Sequence, residues 1–256
     1  MSEAAVLIRA RALLPESGRP GRPAPLDYEI SVGSVTCLVG EEGALCTPWL
    51  RALGAVDPPL EGNLELLGSL AVDDGPEGGC GLRCRLGFVT RTAPLLSVLN
   101  GLRNVMLPAL YHQRDGVAAL ESRALGLIAD IGCEADLDLL PSYLTELQRR
   151  QLAIARAVML EPQVLMIDNP FGCLAASVRR PIADYLRRWS SQEGHALVVA
   201  TDDLGFVKRC ASGIVHVAGE GCYCFNGWQD YLAADVAAVQ RELAARREAV
   251  AIFDAD

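Results

Sequence analysis

The sequence predicts an α/β fold whose sheet is mostly parallel and covered by helices on both faces. Three observations carry that expectation. The runs Val35-Thr36-Cys37-Leu38-Val39, Val164-Leu165-Met166-Ile167 and Ala196-Leu197-Val198-Val199-Ala200 are short and apolar throughout or nearly so, as strands buried on both faces must be. Segments with helical spacing lie between them, the alternation that builds crossover connections. Finally, the first of these runs leads into a glycine-bearing loop, GEEGALCT at 40–47, and then into the leucine-spaced stretch Trp49-Leu50-Arg51-Ala52-Leu53, a strand, loop and helix in series.

Taken in order, the chain opens with two alternating strands, at 5–10 and 26–32, around a Pro/Gly-rich turn region at 15–24. The strand at 35–39 follows. Residues 73–85 read as a glycine-rich acidic loop, and Leu86-Gly87-Phe88-Val89 as a short strand. Between 98 and 158 Val98, Leu99, Leu102, Val105 and Met106, and later Leu120, Leu125, Leu127, Ile128 and Ile131, recur at helical spacing. A buried strand at 164–167, a helix over 175–191 and another buried strand at 196–200 come next. A hairpin pairs 214–217 with 222–225 around Gly219 to Gly221, and 229–250 is an alanine-rich charged helix.

The chain has 256 residues, about half of them apolar, enough to bury a large core. Its net charge of −9 argues against a nucleic-acid partner and against anionic membrane surfaces, both of which need a concentrated basic face. Nine scattered cysteines suit reduced thiols in a cytoplasmic protein better than a disulfide framework. Cys80 with Cys84, and Cys222 with Cys224, lack a second spaced pair to complete a metal site. The opening MSEAAVLIRARALL makes a poor signal peptide, and no apolar stretch is long enough to cross a bilayer. Membrane work would need a partner to hold the chain there.

The order of motifs resembles the nucleotide-binding subunit of an ABC transporter. Residues 40–47 stand where that family has its Walker A loop and Leu86 to Arg91 where it has the Q-loop. Leu144-Thr145-Glu146-Leu147-Gln148, leading into Ile154-Ala155-Arg156-Ala157, stands at the LSGGQ signature. Val164 to Pro170 stands at Walker B, and Val198 to Leu204 at the H-loop. The resemblance covers about 5–235. It implies a single domain over 1–256 with the P-loop NTPase-like, mostly parallel sheet, an antiparallel β subdomain, a helical subdomain at about 92–158 and a C-terminal helix at about 229–250. It also implies ATP and Mg2+ as cofactors, a membrane permease as partner and a second ABC subunit, identical or different, to complete each site. Asn169-Pro170-Phe171 is similar to the DEPF variant of MCE-linked lipid transporters. Leu95 to Val105 is similar to the stretch beside the coupling helices.

Residue by residue, the resemblance places a nucleotide against Gly40, Glu41, Glu42, Gly43, Ala44, Leu45, Cys46, Thr47 and Pro48, and against Leu144, Thr145, Glu146, Leu147 and Gln148 of a facing chain. Thr47 and Asp168 match its magnesium ligands. Gly40 and Gly43 are expected to keep the turn. Leu45 stands for a glycine that admits the phosphate backbone-close, Cys46 for the lysine, and Pro48, expected in the helix's first turn, removes a donor N–H. Asn169 cannot act as the base that a glutamate supplies. Arg91 replaces the Q-loop glutamine, and Asp202, in place of the histidine, would repel a γ-phosphate. Glu146 and Leu147 replace signature glycines, the carboxylate adding further repulsion. Leu13 and Leu14 lie near where an adenine-stacking ring is usual. The expectation is a catalytically degenerate pseudo-ATPase with a structural or coupling role, the alternative being an ATP-hydrolysing subunit with atypical site residues acting in a complex.

Overall fold

The computed structural model describes residues 5–16, 23–40, 43–70, 82, 84–112 and 115–246. Its main sheet has six strands in the order β10-β9-β3-β8-β7-β6. β3 (Val35–Gly40), β6 (Leu86–Val89), β7 (Val164–Asp168), β8 (Ala196–Ala200) and β9 (Gly213–Ala218) run parallel, and β10 (Gly221–Phe225) closes the edge as an antiparallel hairpin with β9. Every residue of β3, β7, β8 and β9 is buried, which is why these strands read as apolar runs rather than alternating ones.

Successive side chains on these strands enter two cores. Leu38, Met166, Val198, Val215 and Val217 face α1 (Gly43–Leu53) and a second, antiparallel sheet. Cys37, Val39, Leu165, Ile167, Val199 and Ile214 face a block of helices that includes α2 (Gly101–Tyr111), α3 (Val117–Asp130), α4 (Glu146–Val158) and α5 (Arg180–Ser190). The antiparallel sheet has the order β2-β1-β4-β5. Its β2 (Leu26–Ser31) falls where alternation puts it, while β1 (Val6–Leu14) runs past the expected end at residue 10 through an irregularity between Ala10 and Leu13. β4 (Glu61–Leu66) and β5 (Ser69–Leu70) give no readable pattern in sequence, because in them only Leu64 and Leu66 are buried.

Two helices differ from expectation. The stretch at 175–191 begins as a 3-10 turn, Ala176–Val178, and α5 starts only at Arg180, with Pro181 in its first turn where the missing N–H costs nothing. The helix expected over 229–250 is two: α7 (Trp228–Leu232) and α8 (Ala237–Ala245), with 247–250 outside the described residues. Alanine content sets helix propensity over the whole stretch. The break lets Tyr231 reach His216 of β9, Oη to Nδ1 at 3.1 Å, while Val239 and Glu242 bury separately. Most of the loop expected at 73–85 lies outside the described residues.

Candidate functional site

Three side chains meet at the carboxyl edge of the parallel sheet, where ligands of such sheets bind. Asp168 ends β7, Thr47 lies in the helix that follows β3, and Arg91 lies in the turn that follows β6. β8 separates β3 from β7, so α1 passes over its end to bring Thr47 to Asp168. Thr47 Oγ1 donates to Asp168 Oδ2 at 2.8 Å. Arg91 Nη2 lies 3.3 Å from Asp168 Oδ1, a Coulombic contact rather than an aligned hydrogen bond, and donates to Thr47 Oγ1 at 3.4 Å. Asp168 is only 2% exposed, so its charge is held out of water and matched by the guanidinium.

The loop preceding this cluster differs from expectation. Helix α1 begins at Gly43, so Ala44, Leu45, Cys46 and Thr47, expected in the loop at 40–47, are helical. Glu41 and Glu42 lie outside the described residues. Pro48 is a correction: it lies inside α1, past the first turn, where it removes an interior N–H rather than a phosphate donor. Gly40 ends β3, and a Cβ there would stand 2.6 Å from the Val217 carbonyl oxygen, so close strand packing already requires glycine. Cys46 is 1% exposed and packs with Leu38, Trp49, Leu50, Val215 and Val217. Burial, with the Asp168 carboxylate second, pushes its thiol up to about 12.

That shift predicts a pH dependence. An unfolded thiol ionises near 8.5, whereas folded Cys46 keeps its proton to about 12. Above pH ~8.5 the unfolded chain therefore binds fewer protons, and stability falls as pH rises, by up to about 1.4 kcal/mol per pH unit from this thiol. The contribution is fully present below ~8.5. A urea midpoint lower at pH 10 than at pH 8, with the difference smaller in Cys46→Ala, is the expected result. Equal pH dependence in both proteins would contradict it.

At the signature position the carboxylate is tied back. Glu146 opens α4 and pairs with Arg149 at 2.8 Å and with Arg150 at 2.9 Å. Burial alone would raise its pKa, but the hydrogen bond from Arg149 and the charge of Arg150 carry it below the usual value. Glu146 is thus a carboxylate held between two guanidiniums rather than a bare one. Thr145 caps α4 through a reciprocal box with Gln148, Leu147 packs against the core and Leu144 is buried.

Asn169 is a turn residue. Its φ of +53° suits asparagine, its Oδ1 accepts from the Gly172 N–H at 2.9 Å, and its carbonyl accepts from Arg150 Nη1 at 2.9 Å. A Cβ on Gly172 would stand 2.3 Å from Arg150 Nη2, so this glycine makes room for the guanidinium. Sequence reasoning missed Arg150, which is 5% exposed and joins the start of α4 to the end of β7. The only signal was an arginine on the inner face of a helix.

The Asp202 side chain is exposed, and its backbone carbonyl accepts from Arg246, which also pairs with buried Glu242 at 2.6 Å. Neighbouring Asp203 is the buried one, capping α6 (Leu204–Cys210) and pairing with Arg179 at 2.9 Å. Leu13 and Leu14 are core residues, unavailable to an adenine ring. Phe171 is buried against Phe206, ring centroids 5.1 Å apart.

The family model described as ABC transporter matches residues 24–172. The chain belongs to the ABC transporter family. Among curated relatives, the lipoprotein-releasing system ATP-binding protein LolD of Syntrophus aciditrophicus is 33% identical over 201 residues, 78% of this chain and 89% of LolD. The uncharacterized ABC transporter ATP-binding protein YbbA of Escherichia coli is 34% identical over 188 residues, 72% and 81% of the two chains. The fold matches a dimeric post-hydrolysis structure of the ATP-binding cassette MJ0796 bound to ADP and Pi, with TM-score 0.76, 20% identity and coverage of 86% and 98%. This chain is therefore an ABC nucleotide-binding domain with the family's mixed α/β architecture.

Magnesium, which the ABC family implies, does not fit the residues present. Thr47 Oγ1 gives its proton to Asp168 Oδ2, and the place beside Asp168 Oδ1, which accepts no hydrogen bond, is taken by a guanidinium that stands against both residues.

Proposed function

We propose that this chain is a non-hydrolysing ABC subunit: a single domain held on the cytoplasmic face of a membrane by a permease and paired with a second ABC subunit, identical or different, where it serves a structural or coupling role. The closed Thr47–Asp168–Arg91 cluster carries this reading, because it fills with protein charge the place where metal and phosphate would meet. Cys46 in the core supplies no cation, and Asn169 is committed to a turn.

The face for a permease is better kept. Buried Asn104 gathers the loop before α2: its Oδ1 accepts from Leu96 N–H at 2.8 Å, and its Nδ2 donates to the carbonyls of Leu96, Leu99 and Asn100. The loop so fixed presents Val98, 82% exposed. No helix among the described residues is long and apolar enough to cross a membrane, which suits attachment through a partner. LolD, named for lipoprotein release, and the Asn169-Pro170-Phe171 likeness favour a lipidic cargo, which the permease would read, since Phe171 is buried.

The alternative, an ATP-hydrolysing subunit with atypical residues, draws on Thr47 and Asp168 being present and on relatives named as ATP-binding proteins. ATP turnover by the complex extracted from membranes decides between them. The expected result is a permease that co-purifies with this chain and turnover that Asp168→Ala leaves unchanged. Turnover abolished by that substitution would favour the alternative.

A further inference from the structure

We propose that the Arg91 guanidinium is the resident cation of this site, taking the place of a divalent metal ion and excluding it. The inference deepens the reading of a non-hydrolysing subunit by naming the group that closes the site to metal. Two oxygen ligands suited to a hard cation are present, Thr47 Oγ1 and the Asp168 carboxylate, held 2.8 Å apart through Oδ2. That separation is close to the spacing of adjacent ligands on an octahedral ion with bonds of about 2.0–2.1 Å, so the pair by itself could hold magnesium. What closes the site is the third member. Arg91 Nη2 is 3.3 Å from Oδ1 and 3.4 Å from Oγ1, placing one positive charge against both ligands.

The chain secures this arrangement from three directions. Asp168 is fixed by its place at the end of a fully buried strand. Thr47 is fixed by α1, which packs between the two sheets. Arg91 is delivered by a tight turn in which Ala93 N–H bonds the Thr90 carbonyl at 2.8 Å and Ala93 takes φ of +43°. A neutral glutamine at 91 would leave the buried Asp168 carboxylate without the charge that Arg91 sets against it.

Manganese, a paramagnetic stand-in for magnesium, tests this directly by titration followed with electron paramagnetic resonance, with and without a nonhydrolysable ATP analogue. The wild-type chain is expected to leave the free-ion signal at the level of a protein-free sample of the same composition. Arg91→Gln is expected to take up one ion per chain, on the order of tenfold or more tighter than wild type, and Asp168→Asn in that background should abolish the uptake. Arg91→Met, of nearly the same length, replaces the glutamine variant should its circular dichroism show an unfolded chain. One ion bound per wild-type chain overturns the proposal, and so does equal absence of uptake in wild type and both variants, since exclusion would then not be the work of Arg91. ATP turnover that Asp168→Ala abolishes, in a complex whose wild-type chain still excludes manganese, would sink the proposed function and leave this inference standing.

Discussion

Lysine restored at position 46 is expected to unfold this protein more readily rather than to repair it. Cys46 is 1% exposed against Leu38, Trp49, Leu50, Val215 and Val217, and its Sγ lies 3.5 Å from where a Cβ on Gly40 would sit, so there is no room for a longer side chain. Overpacking costs typically 1–3 kcal/mol and an unpaired buried charge several more. The carboxylates of Asp168 and Glu242 act on this position, but so do Arg91 and Arg246, and their influences oppose one another. A net loss of about 4 kcal/mol is expected for Cys46→Lys, lowering Tm by roughly 8–16 °C in a chain of this size. Cys46→Ala, which removes only one sulfur, should cost about 1 kcal/mol. Thermal melts of the two variants compare them. A lysine variant as stable as wild type would mean that the side chain swings out into the loop, and the core placement of residue 46 would be wrong.

The second large effect belongs to Arg150. Its Nη1 donates to the Asn169 carbonyl at 2.9 Å and its Nε lies 2.9 Å from Glu146 Oε1, though the Nε–H is not aimed at that oxygen and the contact is Coulombic. Truncation to alanine removes a buried cation that joins α4 to the end of β7 and leaves a cavity beside Gly172. A hydrogen bond from a charged group is worth about 1.5–3 kcal/mol, and the cavity adds to the loss. Glu146 is 37% exposed and retains Arg149, so it is not stranded; a loss of about 3 kcal/mol is expected, with Tm lower by roughly 6–12 °C. Arg150→Lys should recover only part, because an ammonium cannot span both acceptors. A drop below about 2 °C for the alanine variant would show that the bridge adds little beyond its neighbours.

Much of the fold was readable because it follows from what must be buried. β3, β7 and β8 lie at residues that could face water on neither side, and the hairpin of β9 and β10 lies around its glycines. β4 and β5 were not readable, since two buried leucines in a short stretch give no period. The break between α7 and α8 escaped for the opposite reason, as alanine favours helix throughout while Tyr231 and Glu242 demand different burial. At the site, Thr47 and Asp168 were legible as a pair.

Sequence by itself determined the ABC architecture and singled out Cys46, Arg91, Glu146 and Asn169 as residues to explain, because strand burial, helix spacing and motif order are local properties written along the chain. Tertiary structure alone decided what those residues do. Glu146 is answered by Arg149 and Arg150, Asn169 bends a turn, Cys46 fills a core and Arg91 stands on the acid and hydroxyl of two other segments. A charge or a thiol acquires its chemistry from what lies within a few ångströms, and those neighbours come from distant parts of the chain.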